Sequence, residues 1–267
     1  MARITIGDVR IHWESYGEKE PLLLISGVSG GTWTWEENIE AWSPHFRVIV
    51  FDNIGAGRSG KPNRPYTIEE MADHAAAVLD AAGVKQAGVV GLSMGGMIAQ
   101  ELALRHPNRV HRLVLGCTHC GVNNRIPPHP NVIQRFADNK DLSPEEIINK
   151  NLELLVTPQF LRSGSGALNR YKERQLKAPL QPDYALKRQL EAIAGFDACE
   201  CIGNIQVPTL ILTAELDMLV PPENGGLLSR HIPNAVEKSF ANAGHLIYLE
   251  CAQDFNETIM NFFRNKA

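Results

Sequence analysis

Two periodicities alternate along the chain. Short runs that alternate apolar and polar residues, or are apolar throughout, fit strands, and longer stretches with an apolar residue every third or fourth position fit helices. Residues 3–6 and 9–13 alternate around Gly7-Asp8, which predicts a β-hairpin. Residues 22–25, 47–51, 88–91 and 110–115 are almost wholly apolar, the pattern of parallel strands covered on both faces. Helical patterns fall between them over residues 35–42, from Thr67 to about Ala82, and from Met97 to Leu104. Thr67-Ile68-Glu69-Glu70 reads as a capping box for the second of these, Gly83 as its C-terminal stop, and Pro107 closes the third. Two further strands, at 208–213 and 236–240, and an amphipathic helix from about Cys251 to Arg264 complete the pattern. Such alternation predicts an α/β fold with a mostly parallel central sheet and helices on both faces.

The alternation is interrupted once. Between about Thr118 and Asn204 no buried strand occurs, a length too great for a loop in a compact domain. Pro127, Pro128 and Pro130 cluster at its start. Ser143 before Pro144 marks one helix start, and Pro182-Asp183-Tyr184 opens another that runs to about Ala194. We read residues 119–204 as a helical cap inserted into a core domain made of 1–118 and 205–267.

Charge and composition narrow the partners. With 44% hydrophobic residues, 21% charged residues and a net charge of −4, the chain has the make-up of an ordinary globular protein. No run of Lys and Arg exceeds two residues, which argues against nucleic acid and anionic membrane surfaces. No apolar stretch is of transmembrane length, and residues 1–8 lack the apolar run of a signal peptide, so a cytoplasmic location is expected. Cys117 and Cys120 form a C-x-x-C, Cys199 and Cys201 a C-x-C, and Cys251 stands alone. Their odd number and their places at the ends of apolar runs favour reduced thiols used in packing over zinc or redox pairs. No metal or cofactor is expected.

The chemistry gathers at Gly91-Leu92-Ser93-Met94-Gly95. An apolar strand precedes it and a helical pattern follows, which is the setting of a nucleophile elbow. A second glycine-rich stretch, Gly55-Ala56-Gly57-Arg58-Ser59-Gly60, matches the spacing of a dinucleotide site. Pro62 and Pro65 follow at once and bar the helix that such a site must open. A serine hydroxyl needs a base and a group to orient that base. Functional loops of a parallel sheet lie beyond the carboxyl ends of its strands, and the loops after the last two strands carry Asp217 and His245. Glu215 competes with Asp217, and the position of Asp217 four residues before Pro221 favours Asp217. Most of the nine histidines, among them His106, His111 and His231, are expected to be solvated.

These segments together resemble the α/β-hydrolase superfamily over nearly the whole chain. The resemblance is carried by Ser26-Gly27 in the first glycine loop, Asp52-x-x-Gly55-x-Gly57-x-Ser59, the Ser93 elbow, Asp217 with Pro221, and Gly244-His245 followed by Glu250. Residues 91–100 are similar to the elbows of 3-oxoadipate enol-lactonases and small carboxylesterases. The departures are Ser26 where the family often has His, Ile54 for a usual Arg and Ala214 for a usual Gly. The resemblance implies a cofactor-free serine hydrolase, monomer or homodimer, acting on a small-molecule ester or lactone. Ser93 would be the nucleophile, His245 the base and Asp217 its orienting acid, with the backbone N–H groups of Val28 and Met94 as the oxyanion hole. Carbon–carbon bond hydrolysis and haloperoxidase or perhydrolase chemistry use the same triad, and a non-catalytic ligand-binding member is the remaining alternative. Gly27, Trp33, Met97, Phe136 and Phe160 are candidates for the substrate pocket, with Trp35, Met94 and Tyr171 beside them.

Overall fold

The computed structural model describes residues 2–264. The alternating N-terminal residues pair as an antiparallel hairpin, β1 (Ala2–Ile6) and β2 (Val9–Tyr16). The apolar runs become β3 (Glu20–Ile25), β4 (Phe46–Phe51), β5 (Ala87–Leu92), β6 (Val110–Gly116), β7 (Thr209–Ala214) and β8 (Ala235–Phe240). They form one eight-stranded sheet in the order β1-β2-β4-β3-β5-β6-β7-β8, in which β3 to β8 run parallel. The chain steps outward from β3 to β4 and then crosses back to β5 on the other side of β3. Sites of parallel sheets lie at such a reversal of order, off the carboxyl ends of the strands.

Helices cover both faces. In chain order the first are α1 (Glu36–Trp42), which follows a 3₁₀ turn at Thr32–Trp35, α2 (Ile68–Ala81) and α3 (Met94–Arg105). Then come α4 (Pro130–Ala137), α5 (Pro144–Leu155), α6 (Pro158–Arg162), α7 (Gly166–Lys177) and α8 (Asp183–Gly195). The last are α9 (Glu223–His231), α10 (Ile247–Glu250) and α11 (Ala252–Arg264). The apolar strands divide their side chains between two cores. Leu23 and Val89 pack with α2 and α3, whereas Leu22, Leu24 and Val90 pack with Trp42 and Phe255 of α1 and α11. That division explains the unbroken hydrophobicity of these strands. The α2 cap is half of the expected box: Thr67 accepts from the Glu70 N–H at 3.3 Å, but the Glu70 carboxylate pairs with Arg64.

The stretch between β6 and β7 holds five helices, three more than its sequence pattern reveals. α5 begins as expected, with Ser143 and Glu146 in a full capping box. α7 was illegible because Leu168 is its only buried residue. Phe136, Leu152 and Leu168 help build a third apolar cluster, which meets the rest of the molecule at Leu219, Leu246 and Leu249.

The cysteines require a correction. Cys120 and Cys199 are joined in a disulfide, one taken from each local pair, while Cys117, Cys201 and Cys251 are free thiols. The two chain passages between sheet and helices run side by side, with the Ala198 N–H donating to the Cys120 carbonyl at 2.7 Å and the Val122 N–H to that of Phe196 at 3.0 Å. This juxtaposition brings together two cysteines 79 residues apart.

Candidate active site

β5 ends at Leu92 and α3 begins at Met94, so the whole turn is made at Ser93, whose φ of 56° and ψ of −122° are strained for a residue with a Cβ. The strain is held in place. The Ser93 N–H donates to the Gly116 carbonyl and the Thr118 hydroxyl donates to the Ser93 carbonyl, both at 2.8 Å. A Cβ at Gly91 would strike the Gly95 carbonyl, and one at Gly95 would strike the Ile25 carbonyl. Both glycines therefore let the first turn of α3 rest on the backbones of β3 and β5. Met94 opens α3, so its N–H has no acceptor within the helix, and the positive end of the helix dipole lies beside Ser93.

The loops after β7 and β8 bring Asp217 and His245 together. His245 Nδ1 lies 2.7 Å from Asp217 Oδ2, with both side chains buried. Asp217 Oδ1 accepts from the N–H groups of Leu219 and Val220 at 2.8 and 2.9 Å. A carboxylate held by two amides accepts the Nδ1 proton of His245, and this tautomer leaves Nε2 with a free lone pair. Glu215, the competing acid, is exposed.

Ser93 and His245 open into one cavity of about 380 Å³ between the sheet and α4, α5, α7 and the start of α8. Gly27, Val28, Trp33, Trp35, Phe136 and Tyr171 line it as anticipated. Three of the anticipated lining residues, Met94, Met97 and Phe160, do not. Met94 and Met97 lie in the core cluster shared by α2 and α3, because α3 is buried almost all round and uses its apolar side chains in packing. Phe160 packs within the helical cluster around Leu152 and Leu168.

The sequence model of the alpha/beta hydrolase fold matches residues 20–252. The chain belongs to the α/β-hydrolase family. A relative named carbamate hydrolase RutD, from Azorhizobium caulinodans, is 33% identical over 260 residues, 96% of each chain. The solved structure of Est816, described as an N-acyl homoserine lactone degrading enzyme, is 30% identical and covers 98% of this chain and 100% of its own, with a TM-score of 0.83. The enol-lactonase of Burkholderia xenovorans LB400 shares the fold at a TM-score of 0.87 and 24% identity, over 99% of this chain and 100% of its own. This protein is accordingly a hydrolase, and no helix among its described residues is long and apolar enough to cross a membrane.

Several residues brace the Ser93 cavity in ways the sequence does not reveal, although Asp52 and Glu250 stand within its family-like motifs. Gln189 of α8 is wholly buried; its amide oxygen accepts from the Ser29 N–H at 2.9 Å and its amide nitrogen donates to the Ile54 carbonyl at 2.8 Å. It thus ties the Val28 loop to the loop after β4. Asp52 braces the same region by accepting from the N–H groups of Thr32 and Arg58, both at 2.7 Å. Glu250, three residues into the turn after the His245 loop, accepts from the N–H groups of Gly244 (2.8 Å) and Thr157 (3.1 Å) and from the Thr157 hydroxyl (2.7 Å). Cys117 packs in the core beside Val90 and Leu212, and its thiol also lies within hydrogen-bonding reach of Asp217; burial, followed by the Asp217 charge, pushes its pKa well up. The donor atoms of Cys117, Asp217 and His245 lie within 4.8 Å of one another, a set that could ligate a soft cation. The two amides and the imidazole already occupy the Asp217 oxygens, so an ion there would compete with the hydrogen bonds that orient His245. Four histidines, His12, His74, His119 and His245, are buried, and the other five, His106, His111 and His231 among them, are exposed or half-buried.

Proposed function

We propose that this hydrolase cleaves a carboxylic ester or lactone through an acyl-enzyme on Ser93. The reading is carried by the 2.7 Å Asp217–His245 pair in the cavity that Ser93 enters at the strained turn. His245 Nε2 takes the Ser93 proton as Oγ attacks the carbonyl, and then passes it to the leaving alkoxide. Asp217 holds the tautomer and stabilises the imidazolium. Water, deprotonated by the same nitrogen, attacks the acyl-enzyme and releases the acid. The N–H groups of Met94 and Val28 would receive the oxyanion, and loss of one such donor costs about 3 kcal/mol in the transition state. Residues 119–204 act as a cap that shapes the acyl pocket. The names of the similar proteins, which cover lactone and carbamate cleavage, support acyl transfer to water as the common step.

Ser93→Ala should abolish turnover of a p-nitrophenyl ester and labelling by a fluorophosphonate while the circular dichroism spectrum stays native. Native-like turnover in that variant overturns the assignment.

A further inference from the structure

Lys150 of α5 is a cation with no carboxylate of its own. Its Nζ donates to two neutral oxygens, the carbonyl of Asp138 and the Oδ1 of Asn139, the latter at 2.7 Å, and among the described residues it forms no ion pair. Burial first, and Arg135 last, lower its pKa against the opposing pull of the Asp138 charge. Two cations on the other side of Trp33 are better matched, Arg174 with Glu37 at 3.0 Å and Lys177 with Glu173 at 3.8 Å.

Asn139 carries the Lys150 charge to the cavity. An ammonium can only donate, so the amide that receives it turns its oxygen to Lys150 and leaves its nitrogen free. Asn139 lines the cavity and is half-buried. Its Nδ2 has no hydrogen-bond partner among the described residues and keeps accessible surface. Two N–H bonds, polarised by the ammonium at the other end of the amide, are therefore unspent at the cavity wall.

The one carboxylate among the lining residues, Asp183, belongs to another part of that wall. It opens α8, which is tied to the loop after β4 by Gln189 on the Ile54 carbonyl (2.8 Å) and Tyr184 on that of Lys61 (3.0 Å). Asn139 and Lys150 belong to the corner between α4 and α5, which packs toward Leu219 and Leu246. A carboxylate at that corner would accept from Asn139 Nδ2 and meet the Lys150 charge one amide group away, a charge-assisted bond that a neutral group cannot equal.

We infer that Asn139 and Lys150 form a subsite for a carboxylate at the far end of the acyl chain, held by the Nδ2 donor of Asn139 with the Lys150 ammonium behind it. The inference rests on the ester-hydrolase reading and adds the class of acyl group.

The test sets the p-nitrophenyl monoesters of adipic, pimelic and suberic acid, which differ in chain length, against the same three esters with the free carboxylate replaced by a primary amide. On the native enzyme kcat/KM should favour the carboxylate over its amide by about tenfold at the length that reaches the corner, the scale of a hydrogen bond to a charged group. In Lys150→Met that ratio should fall about tenfold. In Asn139→Asp, whose new carboxylate would pair with Lys150 and repel the substrate, the amide should become the better substrate. The ratio cancels any loss common to both members of a pair, so a variant of lowered stability still reports. A native enzyme that prefers the amide or shows no preference at all three lengths overturns the inference, and so does an unchanged ratio in either variant. Failure of all six esters overturns the ester-hydrolase reading itself, and the inference with it.

Discussion

Ser93 sits at a backbone geometry that only its surroundings can enforce, and those surroundings are themselves mostly backbone. The sequence motif was readable because glycines at 91 and 95 are demanded by contact with the Gly95 and Ile25 carbonyls. Gly95→Ala should therefore move α3 away from β3, lower stability by about 1–3 kcal/mol and reduce activity; thermal melts and ester assays read both, and a variant with native melting and rate contradicts the account. Asp217 was legible by its place after β7, whereas the two amides that grip it depend on how residues 217–220 curl and were not. Asp217→Asn preserves shape but turns His245 toward the wrong tautomer. Its kcat should fall about 10⁴-fold with the fold unchanged, and a loss below tenfold would remove Asp217 from the mechanism. Cys117 had no legible signal, since only the strand packing of β6 beside β7 brings its thiol to Asp217.

Elements that bury many apolar residues were foreseeable, and those that bury few were mostly not. α2, α3 and the buried strands carry their cores in their own pattern. α4, α6 and α7 contribute few buried side chains and are stabilised by neighbours the local sequence does not contain. The joints between elements matter more for the site than the elements alone. Glu250 clamps the His245 loop to the start of α6, so Glu250→Gln, which replaces an acceptor by a donor facing two N–H groups, should loosen the roof of the cavity. We expect KM to rise more than kcat falls, together with a lower melting temperature; a change in kcat alone would place Glu250 in the chemistry instead. The Cys120–Cys199 bond ties both ends of the helical segment. Its reduction should lower stability by on the order of 2–4 kcal/mol, as closure of a loop this long implies, and thiol titration of the unfolded chain should rise from three to five. Identical melting with and without reductant would mean that the backbone bonds at the neck suffice.

For the molecule as a whole, a buried neutral histidine sets a limit on acid stability. His119 is held down to about 3, by burial first and by Arg125 second. A histidine depressed in the folded state contributes its full stability above the ordinary value near 6.5, and that contribution shrinks as pH falls from there toward 3. His119→Leu should accordingly lose less stability than the native protein between pH 7 and pH 5, as read from urea midpoints; equal losses in the two proteins would show that His119 is not the group that titrates.

The sequence by itself determined the mostly parallel sheet, the elbow and the order Ser93, Asp217, His245 along the chain. Each of these is written in local periodicity, in glycines forced by close contact, or in the position of a loop after a strand. Tertiary structure alone decided the order of the strands in the sheet, the pairing of Cys120 with Cys199, the places of Gln189, Glu250 and Cys117 around the Asp217–His245 pair, and the departure of Met94, Met97 and Phe160 from the cavity. It also decided the character of the cavity itself. The physical reason is the same throughout: these features depend on which distant surfaces meet once the helical segment folds back over the sheet, and apolar periodicity tells only which face of an element is buried, not what it is buried against.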